Sequence, residues 1–442
     1  MQGLIMAAQL IAGISILVIL HEFGHFWAAR AFGIRVEKFY LFFDAWGKKL
    51  FSIKIGETEY GIGWLPLGGY VKIAGMIDES LDTKQMEKPA EEWEFRSKPA
   101  WQRLIVMIGG VVMNIVVGII IFAAVKFSYG EENLINSSIK HGIIPNETAQ
   151  IYGFEKGDKL LQVNGKEIYY FKDAFNSEML LGKNPPVFTI NRNGIDTTIT
   201  FPADYLETLT KSTRGSLFIP RMEVFIKKVI PGSPAENAGL QADDKIIAIN
   251  NTPALCFDEF QPMLKQHAGT AANLTVLRGV DTLALNVNVS SDSTIGFMPY
   301  DKSWTVDTIK YTIMQAIPAG VKETYTTIYS QIAGWGKIFN GDIAVNKALQ
   351  GPIGIAKFYG PTWDWLNFWL MTALISLGLA FMNILPIPAL DGGHVVLLLI
   401  EMLMGRPLSN KLMERIQTIG VVILLTLMVL IFGNDILSLF LK

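Results

Sequence analysis

Four stretches of the chain stay apolar for about the 20 residues that a membrane-crossing helix requires: Leu4 to Ala29, Leu104 to Val125, Leu366 to Leu385 and Ile416 to Phe432. The first has no basic lead-in and runs into His21 and Glu22 rather than a small-residue cleavage site, so it reads as a retained span and not a signal peptide. Between the first two spans the pattern changes. "KKLFSIKIGETEY" (Lys48 to Tyr60) and "YGIGWLPLGGYVKIAGM" (Tyr60 to Met76) alternate, are rich in aromatic and β-branched residues, and are split by Gly and Pro, which predicts β-hairpins. Lipid does not tolerate an exposed sheet edge, so such strands reach membrane depth only beside other protein. There an edge strand carrying Gly61, Gly63, Gly68 and Gly69 would offer backbone hydrogen bonds to an extended peptide; a small cytoplasmic hairpin that only stabilises the loop is the alternative. Trp304 to Phe339 reads as amphipathic helix.

Basic residues orient the spans. Arg30, Arg35 and Lys38 follow the first, Arg96, Lys98 and Arg103 precede the second, and Arg406, Lys411 and Arg415 lie between the third and fourth, so these loops are expected in the cytoplasm. Both termini and the long segment from about Lys126 to Asp364 then fall outside, which in a bacterium is the periplasmic face of the inner membrane. That outer segment repeats itself. "PNETAQIYGFEKGDKLLQVNG" and "PGSPAENAGLQADDKIIAINN" align without a gap, pairing Pro145 with Pro231, Ala149 with Ala235, Gly153 with Gly239, Asp158 with Asp244 and Asn164 with Asn250. A short helix, a Gly stop, an Asp-Lys step into an apolar strand and an Asn-Gly or Asn-Asn turn make one unit used twice. The unit resembles a PDZ domain in the permuted bacterial order; two spacers that bind nothing are the bland alternative.

Composition supports the membrane reading. Of 442 residues, 50% are hydrophobic and only 18% charged, and mean hydropathy is positive, too apolar for an ordinary soluble chain. The 38 basic and 40 acidic residues leave no footprint for nucleic acid. The one cysteine, Cys256, excludes an intrachain disulfide framework and a Cys-based zinc site, and reads as a small apolar residue.

The chemistry lies at the inner end of the first span, in His21-Glu22-Phe23-Gly24-His25. Histidines four apart on a helix stand about 40° apart around its axis and one turn apart along it, close enough to share a metal ion. In a zinc hydrolase with this pattern the glutamate takes a proton from the attacking water, whose pKa the metal lowers. Ionisable groups within a span are costly, on the order of 2.5–3.5 kcal/mol each on the insertion scale for Asp, Lys and Arg, so three hydrophilic groups in five residues call for a use. Two histidines leave zinc short of a third protein ligand. His141 and His267 fall in the outer repeats, so the remaining candidates are Asp391 and His394 in "NILPIPALDGGH". Pro386 and Pro388 cannot both sit inside an unbroken helix, so the third span must open there. Non-helical backbone at that depth implies a site or a protein-lined cavity. Residue types alone leave Asp391 and His394 both open.

"HEFGH" and "NILPIPALDGG" on the first and third spans, with the glycine-rich hairpin and "WQRLIVMIGGVVMN", resemble the site-2 protease family of intramembrane metalloproteases, in its branch with an inserted PDZ tandem. The resemblance implies a polytopic α-helical membrane protein of about four transmembrane helices, with a membrane-associated β-hairpin region and two inserted PDZ-like α+β domains. Residues 1–126 would hold two spans and the hairpins, 127–220 and 221–300 the PDZ-like domains, 301–365 a periplasmic amphipathic helical segment, and 366–442 the last two spans. It also implies one Zn2+ per chain on His21, His25 and Asp391, Glu22 as general base, Asn383 and the Pro386 and Pro388 segment holding the substrate strand, and His394 as a supporting or packing residue. Substrates would be single-span proteins already trimmed outside, such as anti-sigma factors, and remnant signal peptides, with the PDZ pair as a size filter. Family members often carry Gly-Pro before the second-span asparagine, where this chain has Gly110-Val111 before Asn114. A catalytically silent scaffold and a metal transporter are the rival classes; the intact Glu22 argues against the first, and the lack of polar residues recurring through several spans against the second.

Overall fold

The computed structural model describes residues 2–76, 89–175, 184–206, 216–340 and 351–440. They form two compact units, residues 1–131 with 310–442, and residues 132–309. The first contains helices α1 (Gln2–Ala31), α2 (Ala100–Tyr129), α3 (Ile313–Phe339), α4 (Pro352–Tyr359), α5 (Trp365–Ile384), α6 (Asp391–Met404) and α7 (Asn410–Phe440), and strands β1 (Val36–Phe43), β2 (Lys49–Ile55), β3 (Thr58–Gly63) and β4 (Leu65–Ile73).

Among the described residues, α1, α2 and α5 are long and apolar enough to cross a membrane; α1 and α2 contain the first two expected spans, and α5 the third except Leu385. The fourth falls within α7, whose apolar run Arg415–Val429 is shorter. Helices α1 and α2 cross with their backbones in contact: a Cβ on Gly24 would lie 2.3 Å from the carbonyl oxygen of Gly109, and one on Gly109 2.6 Å from that of Gly24. Small residues permit such an approach, and here it presses the His21 to His25 turn onto α2. Leu17, Val117, Ile121, Phe122, Ala373 and Leu377 fill the space between α1, α2 and α5. The guanidinium of Arg103 forks onto the carboxylate of Glu401, with Nη1 3.2 Å from Oε2, and so ties α6 to α2.

The sheet differs from the expected hairpins. Its order is β2-β3-β1-β4, so β3 and β4, though joined by a single residue, do not pair. Strand β1 separates them, parallel to β3 with Tyr40 opposite Gly61 and antiparallel to β4 with Tyr40 opposite Tyr70. Tyr40 of β1 packs over Gly61, where a Cβ would stand 2.4 Å from its Cζ. Only β2 and β3 form a hairpin, about Gly56 with φ +64. Gly61 and Gly63 therefore lie on an interior strand with both backbone edges paired, whereas Gly68 and Gly69 lie on edge strand β4. That strand leans on α1, where a Cβ on Gly69 would meet Val18 at 2.6 Å. On the opposite edge, Leu50, Phe51, Ile53 and Ile55 of β2 are exposed.

The expected helix from Trp304 begins only at Ile313, because Thr312 and Gln315 form a capping box and Val306–Ile309 is strand. Helix α3 runs along α2, with Gly320 against the backbone of Ala123, inside the same unit as the spans. The third span opens as expected. Helix α5 ends at Ile384 and α6 starts at Asp391, and the Gly392-Gly393 pair lets α6 fold back on the connecting turn: added Cβ atoms would lie 2.2 Å from the Leu385 oxygen and 2.6 Å from the Ile387 oxygen.

The second unit carries the repeat in three dimensions. One sheet has the order Ile195–Thr200, Val187–Arg192, Lys159–Val163, Lys166–Glu167; the other runs Asp281–Asn288, Ala271–Arg278, Lys245–Ile249, Phe225–Val229, Phe297–Tyr300. In both, an arginine on the middle strand binds the buried aspartate that opens the preceding strand and the carbonyl of the helix-stop glycine: Arg192 with Asp158 and Gly153, Arg278 with Asp244 and Gly239, each at 2.7 Å. Asn164 and Asn250 likewise each accept a backbone N–H, from Val187 and Asn273. Cys256 is fully buried, and burial pushes its thiol up to about 11, as the small apolar reading expects.

Candidate metal centre

Three side chains from two segments more than 360 residues apart converge in the first unit. His21 Nε2 and His25 Nε2 lie 3.3 and 3.4 Å from Asp391 Oδ2, and 3.2 Å from each other. Among the described residues these form the metal-capable cluster, with all ligand atoms within 4.8 Å of one another. The α1 helix supplies the histidines one turn apart, and the break after α5 delivers the carboxylate at the first residue of α6.

The donor set fits zinc. At bond lengths of about 2.0–2.1 Å, tetrahedral ligands stand roughly 3.3–3.4 Å apart, which is the spacing found. Asp391 Oδ2 is buried without a hydrogen-bond donor, an expensive state for a carboxylate oxygen unless a cation shares the site. His25 Nδ1 donates to the carbonyl of Val106 at 2.8 Å, which fixes the tautomer and leaves Nε2 as a lone-pair donor. For His21 the corresponding partner is Asn114, which is fully buried. Its amide nitrogen lies 3.2 Å from Nδ1, its Oδ1 has no partner, and Ser376 Oγ donates to its carbonyl at 2.8 Å. Turned about its axis, that amide presents Oδ1 to the Nδ1 proton of a histidine whose Nε2 is a ligand.

Each expected site residue has a definite place. Glu22 is half-buried between the two histidines in sequence. Asn383, in the last turn of α5, puts Nδ2 3.2 Å from His21 Nε2. Pro386 and Pro388 lie in the turn between α5 and α6. Of the two residues left open as third ligand, Asp391 joins the histidines, while His394 is buried and hydrogen-bonded to Gln417 instead, with Nε2 2.6 Å from the amide nitrogen. His141 and His267 lie elsewhere, against Glu223 and Asn250. Gly110, whose neighbour Val111 stands where family members often carry the Pro of Gly-Pro, proves to border the cluster: a Cβ on Gly110 would stand 2.4 Å from His25 Nε2 and 2.5 Å from His21 Cε1. Sequence analysis gave Gly110, Asn114 and Gln417 no place in the site. A buried amide inside an apolar span is the signal that could have found Asn114.

The model of peptidase family M50 matches residues 9–427. The regulator of sigma E protease of Haemophilus influenzae is 31% identical, over 97% of this chain and 98% of its own length. The regulator of sigma-E protease RseP of Escherichia coli is 30% identical over 97% of each chain. A Neisseria meningitidis protein named "Putative zinc metalloprotease NMA0084" is 28% identical over 96% of this chain and 97% of its own. A match across nearly the whole chain joins the helices, the broken third span and the His/His/Asp cluster in one assignment: the chain belongs to peptidase family M50, the site-2 protease family of membrane zinc metalloproteases.

Proposed function

We propose that this protease cuts single-span membrane proteins within or near the cytoplasmic leaflet, after their outer domains have been trimmed, with anti-sigma factors and remnant signal peptides as the substrate classes. The observation that carries the reading is the convergence of His21, His25 and Asp391 at the spacing of zinc ligands. Those three residues would hold one zinc ion, which when bound supplies Lewis acidity, acidifying water and polarising a scissile carbonyl. A substrate helix protects its peptide bonds with its own hydrogen bonds, so it must unwind before reaction. The edge of β4 at Gly68 and Gly69, which no other strand among the described residues covers, would pair with the unwound segment; β3, paired on both sides, would not. Asn383 and the turn through Pro386 and Pro388 would hold the segment's other side. The Glu22 carboxylate would accept the proton of the attacking water and return it to the departing amine nitrogen.

The basic residues flanking α1, α2 and α6 favour termini and repeats on the periplasmic side of a bacterial inner membrane, with the metal centre toward the cytoplasm. The two repeats, 127–220 and 221–300, would be PDZ domains that exclude substrates with bulky outer parts. The test is cleavage of a panel of single-span fusions by detergent-purified protein, stripped of metal by chelator and then resupplied. Cleavage should vanish on stripping and return with zinc; cleavage that persists in the metal-free protein would end the proposal.

A further inference from the structure

Helix α7 reaches the metal-bearing turn through two residues one turn apart. Gln417 is 4% exposed; its Oε1 accepts the backbone N–H of Ala389 at 3.0 Å, and its Nε2 lies 2.6 Å from His394 Nε2. It therefore grips the chain two residues before Asp391 and three residues after it. Ala389 has φ +73, a left-handed conformation that a residue with a Cβ adopts only when its surroundings impose it. Gly420 completes the contact: a Cβ there would lie 2.2 Å from the backbone of Pro388, so α7 sits flush on the turn.

We propose that Gln417 is a positioning residue for the metal centre, holding Ala389 in its left-handed conformation and so setting where Asp391 stands opposite His21 and His25. The proposal rests on the zinc reading of that cluster. It assigns a role to His394 as well: the imidazole, accepting at Nε2, orients the Gln417 amide so that its oxygen faces Ala389. The bonds are neutral and buried, so the device holds geometry without adding charge to the site.

The experiment compares zinc affinity by chelator competition in full-length, detergent-purified wild type, Gln417→Leu, and Gln417→Leu combined with Ala389→Gly. Loss of a hydrogen-bond partner of a metal ligand typically costs about 10–100-fold in affinity; Gln417 acts one step further out, through Ala389, so the drop expected for Gln417→Leu is about tenfold. Glycine adopts positive φ without a Cβ penalty, so adding Ala389→Gly should recover most of the loss, a rescue that a general packing defect would not show. If Gln417→Leu does not fold, Gln417→Asn, whose amide falls short of Ala389, is measured in its place with the same expectation. Wild-type affinity in the single variant, or no recovery in the double, overturns the proposal. Failure of the zinc reading itself looks different: wild type would then bind no zinc, or His25→Ala would bind it as well as wild type.

Discussion

Gly110→Ala places one methyl group against the two histidines of the candidate metal centre. The added Cβ would lie 2.4 Å from His25 Nε2, 2.5 Å from His21 Cε1 and 2.8 Å from His21 Nδ1. Carbon contacts settle at about 3.5–4.0 Å, so both imidazoles must retreat by about 1 Å. Zinc ligands hold position to about 0.2 Å, and a misplacement of 1 Å at a reacting centre can cost about 100-fold in rate. The atoms met are side-chain atoms, so the helix crossing itself can stand. Gly24→Ala is the contrast, since its Cβ would strike the backbone oxygen of Gly109 at 2.3 Å and push α1 from α2. Gly110→Ala should therefore lower zinc affinity at least tenfold, in line with other disturbances of ligand geometry, and cleavage about 100-fold. Its zinc-free melting temperature should stay close to wild type, while Gly24→Ala should lower that temperature. Chelator competition, cleavage of a single-span fusion and thermal unfolding together decide it. Wild-type zinc affinity and cleavage in Gly110→Ala would refute the placement of the metal between these histidines.

Asn114→Leu removes the acceptor available to His21 Nδ1 and should weaken zinc binding by about 10–100-fold, whereas Asn114→Asp, which keeps an oxygen there, should lose less; equal losses measured by chelator competition would remove Asn114 from this role. Deleting Ile143 to Pro299 should let the enzyme cut an untrimmed substrate that the intact chain rejects, and loss of cleavage of a trimmed substrate in the same assay would show the repeats to be a recognition module instead. Cys256, buried and with its thiol pushed up to about 11, should resist maleimide labelling at neutral pH in the folded protein and label once it unfolds; rapid labelling of the folded chain, read by mass, would contradict the packing around α+β repeat two.

The first unit was legible wherever a local pattern fixed the outcome. Long apolar runs gave α1, α2 and α5, and two prolines gave the break that delivers Asp391. The histidine spacing placed His21 and His25 one turn apart on a single helix, because helical periodicity is a local property. Sheet pairing was not legible, since Thr58–Gly63 and Leu65–Ile73 read as neighbours until β1 comes between them, with the Tyr40 ring over Gly61. The same holds for the choice between Asp391 and His394 as partner of the two histidines. They stand three residues apart in one motif, and in the structure Asp391 meets His21 and His25 while His394 meets Gln417, far along the chain. Gly110 looked like any small residue at a helix crossing, and only the finished packing shows two imidazoles where its side chain would be. The repeat was legible through its aligned Pro, Gly, Asp and Asn positions, but the arginines that lock each copy, Arg192 and Arg278, lie outside the aligned stretch.

Glu22→Gln tests the central claim most directly. The amide matches the carboxylate in shape and is not among the three ligand residues, but it cannot take up a proton from water at neutral pH. Loss of a positioned general base typically costs about 10²–10⁴-fold in rate. Zinc content and cleavage are measured on the same detergent-purified preparation, with a single-span substrate present throughout. The account predicts about one zinc per chain, as in wild type, with the substrate uncut and co-purifying. Cleavage at the wild-type rate by the zinc-loaded variant would contradict it.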